Sequence, residues 1–314
     1  MLYIGIDLGG TGIKAGVVDE EGKILVKDSC PTGSERGYGA VIQDMANLAI
    51  RVTEQSGHAM SEIKAVGIGL PGVLDPRTGR MPFCTNLGWH DVPVIEEMHK
   101  YIDKPVYVDN DATVAGLAES VAGVSAGVEN SLFITLGTGV GGGVILGGKV
   151  FSGSHGVASE IGHMVTVADG EMCTCGVRGC WERYASATAL IREGRKMCAD
   201  KPDTALLKAV EGDLKAITAR HVIDLAKEGD PDCTALFDRY VYHLCLGLRS
   251  LISLYDPEVI VLGGGVSHAG EFLLNAVRQL LPGMVFYKDM PFACVELAQL
   301  TNDAGIIGAA MLGR

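Results

Sequence analysis

Basic residues are scarce: 26 Lys and Arg stand against 38 Asp and Glu, a net charge of −12. A chain this acidic repels a phosphate backbone instead of releasing its counterions. No local basic stripe offsets that charge, so nucleic acid is not an expected partner. Long apolar runs are missing too. The least charged stretch, residues 131–148, is broken by Thr135, Thr138 and seven glycines, and it reads as two short strands with no membrane span. No basic residue precedes the first apolar run and Asp7 interrupts it, so a secretory signal is not expected. The P-loop pattern Gly-x-x-x-x-Gly-Lys-Ser/Thr is absent, which excludes one common phosphate cradle. The nine cysteines are scattered except for Cys173, Cys175 and Cys180. They read as reduced thiols of a cytoplasmic protein with one candidate metal site.

What the chain has in excess is glycine, 43 residues in 314, about twice the ordinary ~7%. The glycines sit beside strands. Three apolar strands run into glycine turns: residues 2–6 before Asp7-Leu8-Gly9-Gly10-Thr11-Gly12, residues 132–136 before Gly137-Thr138-Gly139, and residues 259–262 before Gly263-Gly264-Gly265. Gly10, Thr11, Gly12, Gly16 and Val17 align with Gly137, Thr138, Gly139, Gly143 and Val144 at one constant offset of 127 residues, which reads as an internal duplication. Each half then alternates strands with helices, including strands at 13–19, 23–29, 65–70 and 105–108, and helices at about 39–55 and 112–122. That alternation predicts an α/β protein. The region 185–255 is mostly helical by periodicity, and a last helix at about 304–312 follows a Thr301-Asn302-Asp303 cap. With 47% apolar residues the chain can bury a large core, and two similar lobes with a cleft between them are expected.

Glycine turns let a backbone approach phosphate oxygens closely and take positive φ, so the first two hairpins and the third turn predict a nucleotide site. Gly10, Thr11, Thr138, Gly139, Gly263, Gly264 and Gly265 are its candidate contacts. Asp7 offers the oxygen that a phosphate-bound Mg²⁺ takes, usually through water. Lys14 either reaches a phosphate or is a solvated strand charge. Asn110 and Asp111 stand at a strand end where a helix begins. Either residue could simply cap that helix, but a carboxylate at the lobe crossover can also accept a proton from a hydroxyl attacking phosphorus. His163 with Cys173, Cys175 and Cys180 offers four soft ligands suited to tetrahedral Zn²⁺ in a structural knuckle. Buried unpaired thiols and a strained redox pair are the alternatives. Glu160 and Glu182 flank that knuckle.

The motifs Asp7-Leu-Gly-Gly-Thr11-Gly-Ile-Lys14-Ala-Gly16, Gly67-Ile-Gly-Leu-Pro71-Gly72, Asn86-Leu-Gly-Trp89, Asp109-Asn-Asp111-Ala, Gly137-Thr-Gly139-Val-Gly, Glu160-Ile-Gly-His163 and Cys173-x-Cys175-Gly-x-x-Gly-Cys180-x-Glu182 occur in one order along the whole chain. In these the sequence resembles the ROK sugar kinases, most closely their bacterial glucokinases. The resemblance implies a two-lobed actin-like or hexokinase-like (ribonuclease H-like) duplicated fold with a zinc knuckle, ATP and Mg²⁺ at the nucleotide site, and phosphoryl transfer to a sugar. It implies that Asp111 is the catalytic base and that Asn110, Asp111, Glu160, His163 and Glu182 bind the sugar, with Asn86 a further contact. His163 would bind zinc through one ring nitrogen and a sugar hydroxyl through the other. A homodimer or homotetramer is the implied assembly. Ser159 and Trp181 depart from the family's usual Gly and Leu and could reshape the sugar pocket.

The lobes are expected at residues 1–111 with 301–314, and at 112–300 with the knuckle at 163–180. Glucose is the expected substrate. Kinases of the same family for N-acetylmannosamine, fructose or allose are the nearest alternatives. A sugar-sensing repressor would carry a helix-turn-helix segment before the first strand, which here begins at Leu2, and a phosphate hydrolase of the same superfold would lack the knuckle.

Overall fold

The computed structural model describes residues 1–75 and 77–314. Contacts group the chain into two compact units, Met1–Phe133 with Gly143–Ser159 and Gln299–Arg314, and Ile134–Gly142 with Glu160–Ala298.

In the first unit, β1 (Leu2–Leu8) alternates sides. Ile4, Ile6 and Leu8 enter one core and Tyr3 enters another. Strands β2 (Gly12–Asp19) and β3 (Ile24–Pro31) follow antiparallel, and β4 (Ile63–Leu70) pairs parallel to β1. Three short strands, β5 (Val73–Asp75), β6 (Arg80–Cys84) and β7 (Trp89–Val92), form a small antiparallel sheet that the sequence reading did not foresee. Then β8 (Val106–Asn110) completes the main sheet in the order β3-β2-β1-β4-β8. Helix α1 (Tyr38–Gln55) covers one face because Val41, Ile42, Met45, Leu48, Ala49 and Val52 recur at helical spacing and pack against Ile4, Ile6 and Val17. Short α2 (Val94–Met98) joins that core, and α3 (Asp111–Ala122) follows β8 without a break.

A second sheet is built from β9 (Ser131–Leu136), β10 (Val140–Leu146), β11 (Lys149–Val150), β12 (Val259–Gly263) and β13 (Cys294–Leu297). Its order, β11-β10-β9-β12-β13, repeats the first sheet strand for strand, so the duplication read from the 127-residue offset extends to topology. Strands β9 and β10 have residues in both units. Helices α4 (Glu182–Ala185), α5 (Ala187–Asp200), α6 (Ala205–Ala209), α7 (Ala219–Lys227), α8 (Pro231–Tyr255) and α9 (Glu271–Met284) belong to the second unit. The long α8 starts where Asp230 accepts the Cys233 N–H at 2.8 Å with Pro231 in the first turn, and stops at Asp256 in the left-handed region, φ 43°. Trp181 is fully buried; a Cβ on Gly247 of α8 would lie 2.0 Å from its ring, so the indole fills a notch in that helix. Among the described residues no helix is long and apolar enough to cross a membrane.

The last helix, α10 (Ala304–Met311), returns to the first unit. It lies directly on the sheet: Cβ atoms at Gly5 and Gly67 would sit 1.8 Å and 1.7 Å from the Ile306 and Ala309 carbonyl oxygens. A Cβ at Gly308 would meet the Val114 oxygen of α3 at 1.6 Å. The placement of the crossover at Asp111 is corrected by this packing. Small-residue contact holds α3 on α10, and on β9 and β10 at Phe133 and Gly143, so α3 and residues 143–159 belong to the first unit. The expected cap on α10 is corrected too. Asp303 makes no capping bond; its carboxylate takes Lys27 Nζ at 2.7 Å. The chain swings back at buried Glu119, whose Oε1 accepts the N–H of Gln299 and of Leu300 at 2.9 Å each while Oε2 accepts that of Val124 at 2.9 Å.

Candidate active site and metal knuckle

The first hairpin closes with the Gly9 N–H donating to Gly12 O at 2.9 Å, and Thr32 braces it by donating its hydroxyl to Gly9 O at 2.7 Å. Its counterpart closes one residue tighter, Gly137 N–H to Gly139 O at 3.0 Å, braced by the Thr188 hydroxyl on Thr138 O at 2.7 Å. Among the described residues the Gly10, Thr11 and Thr138 N–H groups have no partner, and a Cβ at Gly10 or Gly137 would meet nothing within 4 Å. The expected positive φ does not occur at Gly9, Gly10, Gly12, Gly137 or Gly139. These glycines keep the backbone uncovered and do not supply an unusual turn. The third turn is different. Gly264 has φ 82°, and a Cβ there would lie 2.7 Å from Leu136 N, so no other residue fits. Gly263 ends β12 and Gly265 opens a 3₁₀ turn.

Register pairs Asp7 of β1 directly with Lys14 of β2, and Nζ sits 3.7 Å from Oδ2. Lys14 is therefore paired with the Asp7 carboxylate and is not a lone strand charge. Burial nonetheless holds the Asp7 carboxyl above the usual carboxylate range, against the pull of Lys14.

Asn110 caps α3. Its Oδ1 accepts the N–H of Ala112 at 2.9 Å and of Thr113 at 3.4 Å, and its Nδ2 donates to Gly72 O at 3.1 Å. The capping alternative is therefore realised by Asn110, leaving it at most one free amide hydrogen for a ligand. Asp111, the first residue of α3, uses Oδ1 to accept the Ala112 N–H at 2.8 Å. Sequence reasoning gave Asp109 no role. Its Oδ1 accepts the Asn110 N–H at 2.7 Å and its Oδ2 the Ser152 hydroxyl at 3.2 Å, and burial raises its carboxyl above the usual range. Only its membership of the Asp109-Asn-Asp111 motif could have flagged it, because Ser152 is distant in sequence. Asn86 lies exposed in the one-turn 3₁₀ helix Thr85–Leu87 between β6 and β7.

In the second unit the knuckle assembles as expected. A ligand atom from each of His163, Cys173, Cys175 and Cys180 lies within 4.8 Å of all the others. Cys173 Sγ is 3.6 Å from His163 Nδ1, and the Cys175 and Cys180 sulfurs are 3.5 Å apart. Zn–S bonds of ~2.3 Å in a tetrahedron place sulfurs roughly 3.8 Å apart, so three thiols and an imidazole here fit zinc in both chemistry and spacing. All nine cysteines are free of disulfides. The flanking carboxylates touch the ligands: Glu160 Oε2 is 3.9 Å from His163 Nε2, and Glu182 Oε1 accepts from Cys173 Sγ at 3.0 Å. A Cβ at Gly139 would lie 2.5 Å from Glu182 Oε2, so the second glycine hairpin backs this carboxylate. Ser159 does not enter this cluster; its hydroxyl bonds Thr113 at 3.2 Å. Trp181 does not either, being spent on Gly247.

An α/β chain with duplicated sheets, two backbone-exposed glycine hairpins and a Cys/His knuckle bracketed by carboxylates is a two-lobed sugar kinase fold. The chain belongs to the ROK family, whose pattern matches residues 3–314. It is 38% identical to a glucokinase of Streptomyces coelicolor, over 100% of this chain and 98% of that one. It is 37% identical to a glucokinase of Thermotoga maritima over 98% and 96%. A solved ROK family glucokinase from Streptomyces griseus in complex with glucose and AMPPNP matches with a TM-score of 0.81 and 37% identity, covering 99% of each chain.

Proposed function

We propose that this protein catalyses ATP-dependent phosphorylation of glucose at the 6-hydroxyl, giving glucose 6-phosphate and ADP. The observation that carries the choice of glucose is the identity of 37–38% to glucokinases along nearly the whole chain. The residues suit the reaction. Asp111, at the start of α3, takes the proton of the 6-hydroxyl as the hydroxyl oxygen bonds to the γ-phosphorus and the bond to the ADP oxygen breaks. The unpartnered N–H groups of Gly10, Thr11 and Thr138 receive phosphate oxygens, with Gly139, Gly263, Gly264 and Gly265 keeping the backbone accessible.

Glu160, Glu182 and the Nε2 of His163 hold sugar hydroxyls. The imidazole suits this role because its Nδ1 faces the cysteines and fixes the ring, leaving Nε2 beside Glu160. Asn110 adds its remaining amide hydrogen and Asn86 a further contact. Zinc, held by His163, Cys173, Cys175 and Cys180, supplies rigidity to this segment when bound. Asp7 would offer its oxygen to Mg²⁺, usually through water, and the ion when bound would offset the charge of the phosphates. Nine free thiols and use of ATP suit a reducing cytoplasmic setting, and a homodimer or homotetramer is the assembly that family membership suggests.

The test is coupled ADP release with glucose, N-acetylmannosamine, fructose and allose, with the product identified by phosphorus NMR. The highest kcat/KM is expected for glucose. A higher value for N-acetylmannosamine would overturn the substrate and leave the family intact.

A further inference from the structure

Within the second unit a cavity of about 440 Å³ opens between the knuckle segment, α5 and α8. None of the glycine hairpins, Glu160, His163 or Glu182 lines it, so it is separate from the site described above. Four cationic side chains line it, Arg178, Arg192, Lys196 and Arg239, beside the three carboxylates Asp169, Glu171 and Glu193. The wall thus carries a small excess of positive charge on a protein whose net charge is −12. Glu193 neutralises part of this charge: it takes Arg192 Nε at 3.0 Å through Oε1 and Arg239 Nη2 at 2.7 Å through Oε2. That clamp fixes both guanidinium planes and leaves donors over. Arg192 Nη1 is buried with no hydrogen-bond partner, as is Nδ1 of His243, another residue of the wall. Lys196 is exposed at the mouth and makes no hydrogen bond or ion pair among the described residues. Burial, with Arg239 and Arg192 nearby, pushes His243 below the usual imidazole range against the opposing pull of Glu193.

Arg192 Nη1, a buried donor without a partner, carries a desolvation cost that a ligand bearing acceptor oxygens would relieve, and His243 Nδ1 joins it in the tautomer that places the N–H there. Several fixed N–H groups around one space suit the oxygens of a phosphoryl group, which guanidinium groups bind bidentately. The volume accommodates a small phosphate ester, not a nucleic acid or peptide. We propose that this cavity binds a small phosphorylated molecule, anchored by Arg192 and Lys196 with Arg239 and His243 completing the donor set.

The wall is connected to the knuckle. The hydroxyl of Tyr184 accepts the Glu171 N–H at 2.6 Å, and its ring packs on His243 with centroids 4.8 Å apart. Arg178 donates to Gly170 O at 3.2 Å, and a Cβ at Gly170 would lie 2.0 Å from the Tyr184 oxygen. Occupancy therefore bears on residues 169–178, which carry Cys173 and Cys175.

The probes are inorganic phosphate and glycerol 3-phosphate, titrated calorimetrically into the zinc-loaded protein with glucose and a non-hydrolysable ATP analogue saturating the other site, at constant ionic strength and with glycerol as control. Saturable binding is expected, tighter for the ester if a metabolite is the natural occupant and equal if free phosphate is. Hydrogen exchange should slow in residues 169–178 and 236–243. Arg192→Gln and the exposed Lys196→Glu should each weaken binding roughly tenfold or more, the scale of losing a charge-assisted bond. Lys196 is solvent-facing, so its variant reads binding even where Arg192→Gln loosens the fold. The proposal is overturned by no saturable binding below about 10 mM, the weak end for a specific anion site, or by binding that neither variant changes. It is also overturned if these variants abolish a concentration-dependent association of the chain with itself while no phosphate binds, which would make the cations an interface.

Discussion

Cys173 and Glu182 are joined directly: the sulfur assigned to the metal lies 3.0 Å from Oε1 of the carboxylate assigned to the sugar. The knuckle is therefore more than a staple on the surface, because the state of its thiols is felt by a substrate-binding group one bond away. Stripping zinc should raise KM for glucose roughly 10- to 100-fold, the usual loss when the groups orienting a ligand are removed. Cys175→Ser should act the same way although residue 175 contacts neither carboxylate. Elemental analysis showing about one zinc per chain, with KM measured before and after chelation, checks both. Holo and metal-free protein with the same KM would remove the structural role.

Asp111→Asn should lower kcat by roughly 10²- to 10⁴-fold with glucose affinity retained. The amide oxygen can still accept the Ala112 N–H, which keeps the start of α3 while the proton acceptor is lost. Steady-state kinetics beside calorimetric glucose binding separate the two effects. Near-normal kcat would place the base elsewhere.

Two glycines should fail differently. Gly139→Ala sets a methyl against the end of the Glu182 side chain, which can swing away, so KM should rise about tenfold or more while thermal stability stays within ~1 kcal/mol. Gly264→Ala forces a Cβ into the Leu136 backbone at a left-handed φ, where nothing can move, so it should cost roughly 2 kcal/mol or more of stability. Urea denaturation of the two variants alongside their kinetics makes the distinction.

Asp109 gives a pH signature. Its folded carboxyl is held above its unfolded value, so the native state binds the proton more tightly. Stability is favoured while the group is protonated and declines as pH rises from about 3.8, the ordinary value, through the raised one. Asp109→Asn should remove that decline, raising the melting temperature at pH 7 relative to wild type by a few degrees at most, with the difference vanishing near pH 4. A gain that is the same at both pH values would mean that burial of Asp109 is not its cause.

Much of this was legible because it is local. The 127-residue offset follows from glycines and threonines that must keep a hairpin backbone open, and it predicted a duplication, which the two sheets carry as one shared strand order. The Cys173, Cys175 and Cys180 spacing needs only a few residues to suggest a metal. Other features are set by distant partners and leave no trace in a window of sequence. Asn110 spends its amide on Gly72, Lys14 is taken by Asp7 through register, and Trp181 disappears into Gly247. The lobe border was misplaced for the same reason, since the contact of α3 with Gly308 joins segments nearly 200 residues apart in sequence.

The return of α10 to the sheet sets an order of events during synthesis. β1 is made first, yet the backbone of its Gly5 is roofed by Ile306, and Glu119 waits for Gln299 and Leu300 before its second oxygen is satisfied. Residues 134–142 and 160–298 can complete their own unit while the ribosome is still working, at roughly 5–20 residues per second. The first unit cannot, because one face of its sheet and a buried carboxylate stay open until residues 299–314 emerge. The half of the protein begun earliest is the half finished last, and its unroofed glycine strands are the surface a nascent-chain chaperone would meet.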